Sequence, residues 1–143
     1  MKKHISLSFL TLFMTLAGHA EMIDSIHHES LEKIMLCHPD ARPKSVVLFV
    51  SGGGGWEAVV GDMTKTLAGQ GALVLGIDTR TYRESLVRQA SGCLYPAADF
   101  EQLSMMIQKK RHFPDYLKPI LVGYSYGATL IYAFFPRLLP TRS

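Results

Sequence analysis

The segment that most restricts the fold is Ile120-Leu121-Val122-Gly123-Tyr124-Ser125-Tyr126-Gly127-Ala128. A short apolar run of strand composition meets G-x-S-x-G and passes directly into an apolar stretch of helical composition, ended by Pro136. Each position of this pattern answers a physical demand. A serine nucleophile must sit on a sharp, strained turn so that its Oγ projects above a sheet. The flanking glycines remove Cβ atoms that would collide where strand and helix converge. The helix that follows turns its positive N-terminal end toward Ser125. The N–H of Tyr126, the residue after the serine, is then placed to donate to an oxyanion. A tight turn in which Ser125 merely caps a helix is the competing reading.

A second oxyanion donor is expected from the loop after an earlier strand. Directly after the apolar run ending at Val50 stand Ser51-Gly52-Gly53-Gly54-Gly55-Trp56. Consecutive glycines can aim backbone N–H groups at a ligand, and Gly53 is the expected donor. A dinucleotide-binding loop is excluded because no register of this run yields G-x-G-x-x-G, although Asp78 imitates the ribose-binding acid of that fold. A P-loop is excluded because no G-K-[ST] follows. No cofactor is expected.

Residues 45–50, 72–77 and 119–122 read as buried strands: short Val/Ile/Leu runs closed by Ser, Asp or Gly. Residues 31–37 alternate more and precede Pro39 and Pro43, which suggests an antiparallel edge strand turning into 45–50. Trp56, Val59, Val60, Met63 and Leu67 recur at helical spacing before Gly69 and Gly71; Phe100, Leu103, Met106 and Ile107 do so before Lys109, Lys110 and Arg111. The basic run complements a helix C-terminus, and Met105 and Met106 are expected in or beside the core. The order strand, strand, helix, strand, helix, strand, helix predicts an α/β domain with a mostly parallel sheet and flanking helices. A composition of 48% hydrophobic and 19% charged residues excludes a disordered chain.

Residues 1–20 have the layout of a secretory signal peptide: Lys2 and Lys3, an uncharged apolar run, then Gly18-His19-Ala20. The apolar run is short for a membrane span. Residues 21–143 are the expected exported domain, with an uncleaved amphipathic or anchoring helix as the alternative reading of residues 1–20. Most of the +3 formal charge comes from Lys2 and Lys3, so nothing points to a nucleic-acid partner. In an oxidising compartment Cys37 and Cys93 could form a disulfide; two buried free thiols are the alternative.

Three further assignments carry alternatives. Trp56 is a wall of a substrate pocket or a core residue. Asp78, with Arg80 and Tyr82, stands at the carboxyl end of a strand as a substrate-binding group, or as a helix cap or ion-pair partner. His27, His28 and His38 have no metal-ligand spacing and are expected at the surface.

The runs at 46–56, 72–82 and 120–128 together resemble one group of α/β hydrolases, the bacterial virulence proteins of the VirJ/AcvB type. That group has a strand followed by S-G-x-G-G-W, and an elbow similar to G-Y-S-F-G-A-D. Here Gly53 stands where the loop often has an acid, and Thr129 where the elbow has one. The resemblance implies a periplasmic protein linked to virulence and type IV secretion components, with Ser125 as nucleophile of an ester hydrolase and aminoacylated phosphatidylglycerol as a substrate of the group. In such a fold the triad order is Ser, then Asp or Glu, then His, yet residues 126–143 contain none of these partners. The histidines are His4, His19, His27, His28, His38 and His112, and His112 is expected at the far end of the sheet. The sequence therefore reads as the N-terminal part of a hydrolase fold, with an acyl-ester or lipid substrate expected if it is active. A non-catalytic exported interaction protein is the alternative.

Overall fold

A computed structural model describes residues 22–28, 31–89 and 95–134. The expected signal peptide and Cys93 lie outside them. The chain runs through β1 (Met22–His28), β2 (Glu32–Cys37), β3 (Ser45–Val50), α1 (Ala58–Gly69), β4 (Ala72–Ile77), α2 (Thr79–Arg88), α3 (Pro96–Lys110), β5 (Ile120–Gly123) and α4 (Tyr126–Phe134). The five strands form one sheet in the order β1-β2-β4-β3-β5. The pairs β4–β3 and β3–β5 are parallel, whereas β1–β2 and β2–β4 are antiparallel. This is the α/β arrangement expected from the strand composition.

Alternation along the strands divides the core. Val46, Leu48, Val50, Leu73, Leu75 and Ile77 face α2, α3 and α4, which contribute Tyr82, Phe100, Leu103, Ile107 and Leu130. Val47, Phe49, Val74 and Cys37 face α1, which contributes Val60 and Ala68. Trp56 seals that second layer. Its indole lies over Gly76, where an added Cβ would come within 2.0 Å of Cη2, and it meets Phe49 edge-on at 6.4 Å between centroids. Gly76 is thus the slot in β4 that admits the ring. Cys37 is a buried free thiol, pushed up in pKa by burial, with Lys65 opposing.

The structure departs from the sequence reading at five points. Of residues 31–37, Glu32–Cys37 form a strand, but β2 pairs with β1 and β4 rather than with β3, so it is interior to the sheet. The short β1 escaped the reading because its His27, His28 and Asp24 break the apolar pattern. Helix α2 was also missed. Its sequence TRTYRESLVR is strongly polar, and Tyr82 is the one large apolar side chain it buries fully. Finally, the buried stripe of α1 is Val60, Gly61, Thr64 and Ala68, leaving Val59 and Met63 exposed. In α3, Met105 and Met106 are likewise exposed, while the polar Ser104 and Gln108 are buried. Gln108 is satisfied there: its amide donates to the Leu117 carbonyl and accepts from the Leu117 N–H, each at 2.8 Å.

The topology positions a site. β3 and β5 are neighbours, and their carboxyl ends lead into helices on opposite faces, α1 and α4. The crevice between two such loops is where open α/β sheets bind ligands.

Two outcomes test this packing. Gly76→Ala overpacks the indole slot and should lower unfolding stability by roughly 1–3 kcal/mol. In urea titrations Trp56→Leu combined with Gly76→Ala should cost less than the two separate losses added together. The second concerns Tyr82, whose hydroxyl donates to Asp99 Oδ2 at 3.3 Å. Burial and the Asp99 charge push this phenol well above its ordinary value of 10.0. The unfolded chain therefore releases this proton first, and stability falls as pH rises above about 10. Tyr82→Phe should make that alkaline decline shallower in denaturation midpoints measured between neutral and alkaline pH.

Candidate functional site

Ser125 occupies the junction of β5 and α4 with φ +52°, the left-handed region that a non-glycine residue enters at a cost. The neighbouring glycines make that junction sterically feasible. A Cβ on Gly123 would stand 2.5 Å from the Ala128 nitrogen, and one on Gly127 only 2.3 Å from the Val50 carbonyl oxygen. The start of α4 is thus pressed onto the end of β3. The Tyr124 N–H donates to the Val50 carbonyl at 3.0 Å, the Gly127 N–H to the Tyr124 carbonyl at 2.9 Å, and the Ala128 N–H to the Ser125 carbonyl at 3.0 Å. Ser125 and Tyr126 are exposed. This is the geometry demanded of a nucleophile elbow.

The glycine loop lies against it. A Cβ on Gly52 would be 3.2 Å from Tyr124 Cδ1 and 3.6 Å from Ser125 Cβ; one on Gly53 would be 3.7 Å from Tyr126 Cβ. The fold therefore brings Gly53, Ser125 and Tyr126 together across the β3–β5 crevice. Among the described residues, no backbone hydrogen bond engages the N–H of Gly53 or of Tyr126.

The loop is held from its far side by the β4–α2 junction. Ser51 N–H donates to the Ile77 carbonyl at 3.0 Å, and Ser51 Oγ accepts from the Thr79 N–H at 2.9 Å. The Thr79 hydroxyl donates to the Ser51 carbonyl. Asp78 Oδ2 accepts the Trp56 N–H at 2.8 Å, while Oδ1 accepts those of Arg80 and Thr81 at 2.8 and 3.2 Å. Arg80 donates from its guanidinium to the Gly54 carbonyl. Gly55 adopts φ +89° with its Cβ position 3.0 Å from Asp78 Oδ2, so only glycine passes there.

This geometry distinguishes the readings of Asp78 and Trp56. Both oxygens of Asp78 are engaged by backbone N–H groups, so the carboxylate caps α2 and ties down the loop. Trp56 is mainly core packing. It also borders a groove of ≈ 370 Å³ with Met35, Glu57, Gly61, Asp62 and Lys65. That groove lies on the α1 face toward β2, with β4 and β3 between it and the strand of Ser125. Missed in the sequence were the buried Ser51–Thr79 pair and the loop contact of Arg80. The available signal was Ser51 immediately after one strand and Thr79 two residues beyond the end of the next.

The histidines lie elsewhere. His38 follows β2 and meets Arg111 of the α3 C-terminus at 2.8 Å; His112 closes that same helix end with φ +55°. Both belong to the end of the sheet where β4 and β5 begin. His27 and His28 lie on β1, with three strands between them and β5. His28 is half-buried, not wholly at the surface, and its Nδ1 has no hydrogen-bond partner. Among the described residues no group of three or more His, Cys, Asp or Glu is placed to hold a metal ion, and no helix is long and apolar enough to cross a membrane.

The family model for bacterial virulence protein (VirJ) matches residues 44–143, the span that carries both loops and all the parallel strands. The chain belongs to the VirJ family. Neither the comparison with curated proteins nor that with solved structures yields a match. Within this VirJ-family chain, the matched span includes every residue that builds the crevice between Gly52 and Tyr126.

Removing the Asp78 carboxylate should be felt at both the helix and the loop. For Asp78→Ala the lost N-cap alone should cost about 1–2 kcal/mol. Amide exchange at Trp56 should accelerate alongside that of Arg80 and Thr81. Unchanged exchange at Trp56 would contradict the clamp.

Proposed function

We propose that this VirJ-family protein is an exported, virulence-associated serine ester hydrolase. The observation that supports this most is Ser125 at φ +52° between Gly123 and Gly127, beside two backbone N–H groups that nothing in the described structure engages. Ser125 Oγ attacks the carbonyl carbon of a bound ester, and the carbonyl π electrons move onto oxygen. That oxyanion accepts hydrogen bonds from Gly53 and Tyr126 at the positive end of α4. Collapse re-forms the carbonyl and expels the alcohol, which takes up a proton. Water then cleaves the acyl-serine by the same route. The proton of Oγ must pass to a base; the described histidines lie on β1 and around the C-terminal end of α3, so the reading needs a base supplied in trans.

Family resemblance favours a lipid ester, an aminoacylated phospholipid in particular, met in the periplasm beside secretion components. The position of the histidines also supports a second reading, an exported interaction protein that keeps the crevice without turnover.

A fluorophosphonate probe separates the two. Incubated with the purified full chain, it should attach to Ser125, with labelling lost in Ser125→Ala. If the wild-type chain shows no Ser125-dependent labelling, the hydrolase reading fails and the interaction reading replaces it.

A further inference from the structure

Arg83 is the charged side chain of α2 that reaches toward the elbow. Its guanidinium carbon lies 5.8 Å from the centroid of the Tyr126 ring, and Tyr126 is the residue directly after Ser125. Both side chains are exposed. Arg80 stands three residues earlier, on the same side of α2, and is committed to the Gly54 carbonyl. One guanidinium thus secures the glycine loop, and the other lies over the opposite wall of the crevice.

The nearby carboxylates are otherwise placed. Asp78 has both oxygens on backbone N–H groups, and the Glu57 carboxylate stands against Gly54. Arg83 itself makes no ion pair or hydrogen bond among the described residues. Its contact with the ring uses the charge and leaves the planar fork of N–H donors without acceptors. Such a fork matches two oxygens of a phosphate-type anion, and the adjacent N-terminus of α4 adds to the same positive field.

We propose that Arg83 forms an anion subsite beside Ser125, which takes a phosphate group carried by the ester substrate while the ester carbonyl lies at Gly53 and Tyr126. The subsite rests on the reading of Ser125 as the acylated residue, and it makes Arg83 the residue that selects phosphate-bearing esters over neutral ones.

Binding can be tested without turnover, using the full chain carrying Ser125→Ala. Hexyl phosphate should bind and shift the amide resonances of Gly53 and Tyr126, whereas hexanol at the same concentration should not. Arg83→Gln should weaken hexyl phosphate binding by roughly tenfold or more, and Arg83→Lys should recover part of the loss. Unaltered affinity in Arg83→Gln, or equal shifts with hexanol, would overturn the subsite. Inorganic phosphate binding as tightly as hexyl phosphate would also count against it, since the site would then hold a free anion rather than a substrate group. Fluorophosphonate labelling of the wild-type chain keeps the two claims separate. Arg83-dependent binding without labelling removes the hydrolase reading alone; labelling with Arg83-independent binding removes the subsite alone.

Discussion

The Val50 carbonyl is the point on which the rest of the crevice depends. It accepts the Tyr124 N–H at 3.0 Å, which fixes the last residue before the serine to the end of β3. A Cβ at Gly127 would come within 2.3 Å of the same oxygen, so the first turn of α4 must present a bare backbone there. Together these contacts leave the chain no room for a gradual bend, and the reversal falls on Ser125. The left-handed backbone at that residue is the consequence of packing a helix directly onto the terminus of a neighbouring strand.

A crevice so formed is useful only if its other wall is equally fixed, and four consecutive glycines would by themselves make a mobile wall. The β4–α2 junction supplies the rigidity. Ser51, Thr79, Asp78 and Arg80 each contribute to a network that fastens Ser51, Gly54 and Trp56 to their neighbours. Gly52 and Gly53 lie between these anchors. The parallel pairing of β3 with β4 makes this possible, because Val50 and Ile77 are register partners and their following residues leave the sheet side by side. The loop's freedom is therefore conformational in the sequence but not in the fold.

How much of this was legible follows from the kind of signal each part carries. The three apolar strands and the strand–turn–helix around Ser125 are local patterns, and they were recoverable as such, although β5 is a partly exposed edge strand rather than the buried one expected. The polar α2 was not, since its helical state depends on the Asp78 cap and on Tyr82 packing against Phe100 at 5.6 Å. Strand pairing was misjudged for the same reason. Proximity along the chain favoured pairing residues 31–37 with 45–50, whereas the sheet places β4 between them. Methionines 105 and 106 show the limit of reading apolar residues as core. Gln108 takes the buried position instead, because its amide can satisfy both backbone groups of Leu117 and the exposed thioethers have no such task.

Strain of a different origin sets the Ser125 junction apart from the other left-handed residues. Glu32 and His112 also have positive φ, but Glu32 lies at the β1–β2 reversal and His112 follows the end of α3, where left-handed residues routinely stop a helix. At the head of α4 no such stop is needed, and glycine at position 125 would adopt the same backbone without penalty. A serine there costs of the order of 1–3 kcal/mol, and the exposed side chain makes no hydrogen bond among the described residues that would offset it. Two N–H groups left without protein acceptors beside it add nothing to stability either. A chain that keeps a strained hydroxyl and two unengaged donors in one crevice has an arrangement that a bound ligand would compensate, and this is what supports the proposed hydrolase site. That places the weight of the reading on the crevice itself, whichever group outside it takes the proton.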